Sequence, residues 1–169
     1  INAVVITSSY TNNDGVAGPF VITLTIEEDG KEYVFYIPRF LSSETSRNLD
    51  NFFNMYSPSA MCEEYMDSLY EDTPCLYVKQ DTALELYHLT GKQFYKDFLK
   101  KSKNSIIKRY FDRGQEKEII DFLQFGFFAS SSLDKFRKIA DEREMSVLSA
   151  YILEEQKKKA PKTTTKFTI

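Results

Sequence analysis

A chain of 169 residues, 42% hydrophobic and 28% charged, is long enough to bury roughly 70% of its unfolded surface without disulfides or metals. That make-up is ordinary globular material, neither disordered nor membranous, and no apolar run approaches the roughly 20 residues of a spanning helix. One histidine and six glycines leave little material for multi-imidazole metal centres or phosphate loops. The net charge of −3 is unevenly divided. Residues 1–90 carry four basic and fourteen acidic side chains, whereas residues 91–169 carry eighteen and eleven.

The first elements are extended. Val4-Val5-Ile6-Thr7 reads as a short strand, followed by a turn cluster at Thr11-Asn12-Asn13-Asp14-Gly15. From Phe20 to Ile26, apolar residues at 20, 22, 24 and 26 alternate with Val21, Thr23 and Thr25, which is the period of a strand. Asp29-Gly30 is a strong hairpin signal, because glycine accepts the positive φ that a two-residue turn demands. Tyr33-Val34-Phe35-Tyr36-Ile37 returns as the second strand and is closed by Pro38. Val21–Glu27 should therefore pair antiparallel with Glu32–Ile37. A lone hairpin is barely stable in water, so one face needs a cover.

The candidate cover is a helix over Ser43–Tyr56, capped by Ser43 or Thr45 and striped by Leu49, Phe52, Phe53 and Tyr56. Ser57-Pro58 supplies a cap and an N1 proline for a second helix carrying Met61, Tyr65, Met66 and Leu69, ended by Thr73-Pro74. Cys75 to Lys79 reads as one more short strand. Composition then turns from β-branched residues to helix formers near residue 80.

Beyond Thr82 a helical pattern recurs. Ala83–Gly91 and Gln93–Leu99 make one pair of short helices, Ile106–Gly114 and Glu118–Leu123 a second, and Leu133–Ala140 and Ser146–Leu153 a third. Gly91 and Gly114 stand 23 residues apart, and Gly114 and Arg143, at equivalent turns, 29. Such units bury their apolar stripes only by stacking. Ile120, Phe122, Leu123, Ile139, Leu148 and Ile152 are the expected core.

Glu118-Ile119-Ile120-Asp121-Phe122-Leu123-Gln124-Phe125-Gly126 resembles the second helix and terminal glycine of ankyrin repeats. The resemblance covers about residues 82–155, as in the tails of many uncharacterised bacterial proteins, and lacks the Thr-Pro-Leu-His tetrapeptide. It implies a protein-binding scaffold and no chemistry. The expected fold is therefore α+β. A small hairpin domain at 1–80 precedes a stack of three ankyrin-like helical hairpins at 81–156 and a basic polar tail at 157–169.

Few residues point to catalysis. His88 reads as a polar helix residue, and Cys62 and Cys75 as small core residues without a nucleophile motif. Two cysteines build no framework, which suits a reducing, cytoplasmic setting. Glu63, Glu64, Asp67, Glu71 and Asp72 form the densest acidic cluster, with Glu63 and Asp67 on one helix face. It lacks the loop glycine of a calcium site and reads as a solvated face. Ser130-Ser131-Ser132 reads as the cap region of the third hairpin. No nucleotide-binding loop or nucleophile elbow occurs, and no cofactor or metal is expected.

The remaining feature is basic. Between Lys92 and Arg113, eight lysines and arginines face only Asp97 and Asp112, with aromatics interleaved. Lys100, Lys101, Lys103, Lys108 and Arg109 are the expected contacts to an acidic surface of a protein partner. The function so read is a non-enzymatic protein-interaction or regulatory module. The alternative is a nucleic-acid-binding accessory protein using the same basic face, against which the acidic isoelectric point near 5.3 argues.

Overall fold

The computed structural model describes residues 19–61, 63–73 and 75–159. The expected strand Val4–Thr7, the turn Thr11–Gly15, and the tail beyond Lys159 lie outside the described residues. Within them the architecture is α+β, an antiparallel strand pair followed by seven α-helices. Among the described residues no helix is long and apolar enough to cross a membrane.

The hairpin forms as its turn dictates. Asp29 and Gly30 both take positive φ, 52° and 74°, so β1 (Val21–Glu28) and β2 (Lys31–Pro38) pair from Glu28↔Lys31 to Val21↔Pro38. The register sets Leu24 against Phe35 and Ile26 against Tyr33 on the inner face, and leaves Thr23 and Thr25 outside. Helix α1 (Ser43–Met55) covers that inner face with Leu49 and Phe53, and helix α2 (Glu63–Glu71) adds Leu69. Phe52 stacks on Tyr65 at 5.1 Å.

Two boundaries differ from the expected ones. Ser42, not Ser43 or Thr45, caps α1, its hydroxyl accepting from the Thr45 N–H at 3.1 Å. Ser57-Pro58 starts only a 3₁₀ turn, Pro58–Ala60; Met61 is extended, and α2 begins at Glu63.

Cys75–Lys79 is not a strand. Leu76–Lys79 opens helix α3 (Leu76–Thr90), with Cys75 at its N-cap. Leu76-Tyr77-Val78 is too short to show a period, and only Val78, Thr82 and Leu86, all buried at four-residue spacing, reveal the helix. Gly91, with φ 66°, ends it and donates to the Tyr87 carbonyl at 2.8 Å.

Helix α4 (Gln93–Asp112) runs 20 residues through the expected break between Leu99 and Ile106. That stretch, Lys-Lys-Ser-Lys-Asn-Ser, is polar but holds neither glycine nor proline, so nothing in it ends a helix. Tyr95 and Leu99 are buried before this stretch and Ile106 and Tyr110 after it. Five helices therefore occupy Thr82–Glu155 where six were expected, and no strand lies between Ala83 and Leu123.

The chain packs as two compact units, one ending at Ser102 and the other starting at Lys103, so the division falls inside α4 rather than near residue 80. The second unit holds the end of α4, α5 (Glu116–Leu123), α6 (Ser130–Glu142) and α7 (Ser146–Lys159). Ala129 rather than a serine takes the N-cap of α6. Its two turns repeat bond for bond. After α4, Gln115 N–H donates to Tyr110 O, Gly114 N–H to Phe111 O and Arg113 N–H to Arg109 O. After α6, Met145, Glu144 and Arg143 donate to Ala140, Asp141 and Ile139. This is the Schellman closure, and its αL positions are Gly114 (φ 66°) and Glu144 (φ 57°). The equivalent of Gly114 is thus Glu144, 30 residues on, not Arg143.

The turns also cap each other's helices. Arg143 donates to the Phe111 carbonyl and lies 3.7 Å from Asp112, while Glu116 accepts from the Leu148 N–H at 2.7 Å, at the start of α7. Phe122, Leu123, Leu148 and Ile152 are buried as expected. Ile120 and Ile139 are only half-buried, and Ile119 takes the central place. Around Phe122 gather Tyr110, Phe127 and Phe128, with ring centroids 5.9–6.2 Å away.

Candidate functional site

The five expected contact residues do not form one basic face. In the second unit, Lys103 donates to the Phe127 carbonyl at 2.8 Å and lies over the Phe128 ring at 5.4 Å. Lys108 pairs with Asp112 at 2.6 Å. Arg109 is only 8% exposed, its guanidinium 5.0 Å from the Tyr110 ring, so it is not a surface contact. Lys103 thus ties α4 to the segment before α6, whereas the Lys108 pair lies within α4.

In the first unit, Lys100 and Lys101 are exposed and make no hydrogen bond or ion pair among the described residues. Lys101 stands seven residues from Phe94, which puts both on one side of α4. Phe94 is 43% exposed although its ring edge meets Tyr70 at 5.8 Å. Tyr70 itself is buried among Phe94, Tyr95 and Phe98. Burial pushes its hydroxyl pKa up, with Glu71 and Tyr95 adding to the effect.

The acidic cluster is largely spent on structure. Glu71 pairs with Lys79 at 2.6 Å, and Asp72 accepts from the Thr45 hydroxyl. Asp67 accepts from Tyr95 Oη at 3.0 Å and from Lys92 Nζ at 3.3 Å. The Glu63 side chain and Cys62 lie outside what is described. Among the described residues no three His, Cys, Asp or Glu side chains gather where a metal ion could sit. His88 is exposed in the last turn of α3.

Sequence reasoning missed a cavity of about 340 Å³ in the first unit. Val34, Phe35 and Tyr36 of β2 form one wall, Met61 and Met66 a second, and Leu86 and Thr90 of α3 a third; Lys92 and Tyr95 close it. Its lining is mainly apolar with a few polar groups, and its size lies at the lower end of ligand cavities, about 300–1,000 Å³. Asp67 is not part of the wall; it holds Lys92 and Tyr95 from behind. No short motif marks these residues, because four separate elements supply them. No protein-family model, curated protein or solved structure matches this chain.

Proposed function

We propose that this chain is a non-enzymatic protein-interaction module. Its helical hairpins serve as scaffold in the manner of ankyrin-like repeats, and it binds an acidic surface of a protein partner. The turn-for-turn recurrence at 30 residues supports the scaffold reading, because cross-capped helices hold a rigid surface. The observation that carries the contact is on the first half of α4. There Lys100 and Lys101 are exposed and uncommitted among the described residues, beside a half-exposed aromatic, Phe94. An aromatic anchor rimmed by cations is the pattern of an interface hot spot. Of the five residues read from sequence, these two keep the contact role, and Phe94 joins them. The scarcity of cysteine supports a cytoplasmic setting.

The test is affinity capture from the native host's extract by the wild-type chain and by Lys100→Glu/Lys101→Glu and Phe94→Ala variants. A protein retained by the wild type and lost with both variants is expected, with the charge reversal acting on association rate and its salt dependence. A captured partner whose on-rate ignores the reversal refutes the reading. Tight binding of random-sequence RNA or DNA at physiological salt, abolished by the same reversal, establishes the nucleic-acid alternative instead.

A further inference from the structure

The outer face of the hairpin is bare at its turn end. Side chains alternate along each strand, so Thr23, Thr25 and Glu27 of β1 and Glu32 and Val34 of β2 share the side away from α1. All five are exposed, Val34 at 44%. The two-residue turn makes Glu28–Lys31 the hydrogen-bonded pair, which leaves Glu27–Glu32 a non-hydrogen-bonded pair, the kind whose side chains stand closest. Like charges directly opposite one another weaken a strand pair. Neither carboxylate has a hydrogen bond or ion pair among the described residues. Lys31, the nearest cation in the chain, belongs to the other face and lies over the Tyr33 ring at 4.8 Å. Glu28, on that same face, accepts from the Ser57 hydroxyl.

The first unit also carries the counterpart. On the first half of α4, Lys100 and Lys101 are adjacent like charges, exposed and without an ion pair among the described residues. Phe94, 43% exposed, lies on the Lys101 side of the helix. The two surfaces are complementary in charge and alike in layout, each setting an exposed apolar side chain beside a pair of like charges. Glu32 stands about 7 Å along the strand from Val34. Lys101 stands about 10 Å along the helix from Phe94, and the flexible four-carbon stem of lysine spans the difference. The lysines and the glutamates do not pair within one copy, since all four remain uncommitted. The net charge of −3 is small, so two copies repel each other only weakly.

We infer that the acidic surface bound by Phe94, Lys100 and Lys101 belongs to a second copy of this chain. It is the outer face of the hairpin, with Glu27 and Glu32 paired to the two lysines and Val34 set against Phe94. The inference rests on the contact role of those α4 residues and names their partner.

Sedimentation velocity of the full chain over a concentration series reads the association. The wild type should pass from monomer to larger species as concentration rises, and less readily in high salt, which screens exposed charge pairs. Glu27→Lys/Glu32→Lys and Lys100→Glu/Lys101→Glu should each raise the dissociation constant roughly tenfold or more. Val34→Thr should raise it by a smaller factor. An equimolar mixture of the two charge-reversed variants should associate again, because each reversed surface then meets a reversed counterpart and each native one a native one. Restoration in the mixture also shows that both variants are folded. A wild type that stays monomeric at low salt overturns the inference, as does association indifferent to Glu27→Lys/Glu32→Lys or a mixture no better than either variant alone. If a different protein captured through Lys100 and Lys101 binds Glu27→Lys/Glu32→Lys undiminished while the wild type is monomeric, the contact role stands and the second copy does not.

Discussion

Replacing Glu144 by glycine should stabilise the second unit. Glu144 sits at φ 57° in a turn whose 30-residue counterpart is Gly114 at φ 66°, with the same closing bonds. A left-handed L-residue costs about 1–2 kcal/mol, because Cβ crowds the following carbonyl. Glycine returns part of that gain through the extra freedom of the unfolded chain, about 0.5–1 kcal/mol. The Glu144 side chain is exposed and makes no hydrogen bond or ion pair among the described residues, so nothing else is lost. The net is a stabilisation of about 0.5–1 kcal/mol. Gly114→Ala is the reciprocal test. Nothing lies within 4 Å of a Cβ built there, so its cost, about 1 kcal/mol, is purely conformational. Urea unfolding followed by far-ultraviolet circular dichroism reads both, as opposite shifts of the midpoint at unchanged m-value. A lowered midpoint for Glu144→Gly, or a raised one for Gly114→Ala, refutes the turn equivalence as an energetic statement.

Other outcomes follow from individual side chains. Tyr70 Oη is buried without a hydrogen-bond partner among the described residues, so Tyr70→Phe should leave stability unchanged or raise it by up to about 1 kcal/mol; a clear loss would show that the hydroxyl is bonded. Glu116→Ala deprives the Leu148 N–H of its acceptor and should cost about 1 kcal/mol, with Glu116→Gln costing less because the amide oxygen still accepts. The Lys108 hydrogen bond, then the Lys108 and Arg143 charges, hold the Asp112 carboxyl below its ordinary pKa. A folded-state pKa that is depressed contributes stability present at neutral pH and lost as pH falls through the folded value. A carboxyl carbon NMR titration should place the Asp112 midpoint below the ordinary range, and Lys108→Met should move it up; an unmoved midpoint contradicts the pairing.

Local chemistry was legible in the sequence. The alternation over Phe20–Ile26 and the Asp29-Gly30 turn set the hairpin and its register, because a two-residue turn admits one pairing and a one-residue slip would expose every inward side chain. Gly91 and Gly114 marked helix ends for the same steric reason. Tertiary structure decided the rest. Lys100 to Ser105 stays helical because nothing in it ends a helix. Which residues on either side are buried, Tyr95 and Leu99 in the first unit and Ile106 and Tyr110 in the second, is set by packing that its polar composition does not reveal. The charge count of the basic stretch could not tell Lys101 in solvent from Lys103 on the Phe127 carbonyl, or from Arg109 packed on Tyr110. The cavity beside β2 was invisible for the strongest reason. Val34, Met66, Leu86 and Lys92 are distant in the chain and ordinary in type, and only packing brings their side chains around one space beside β2.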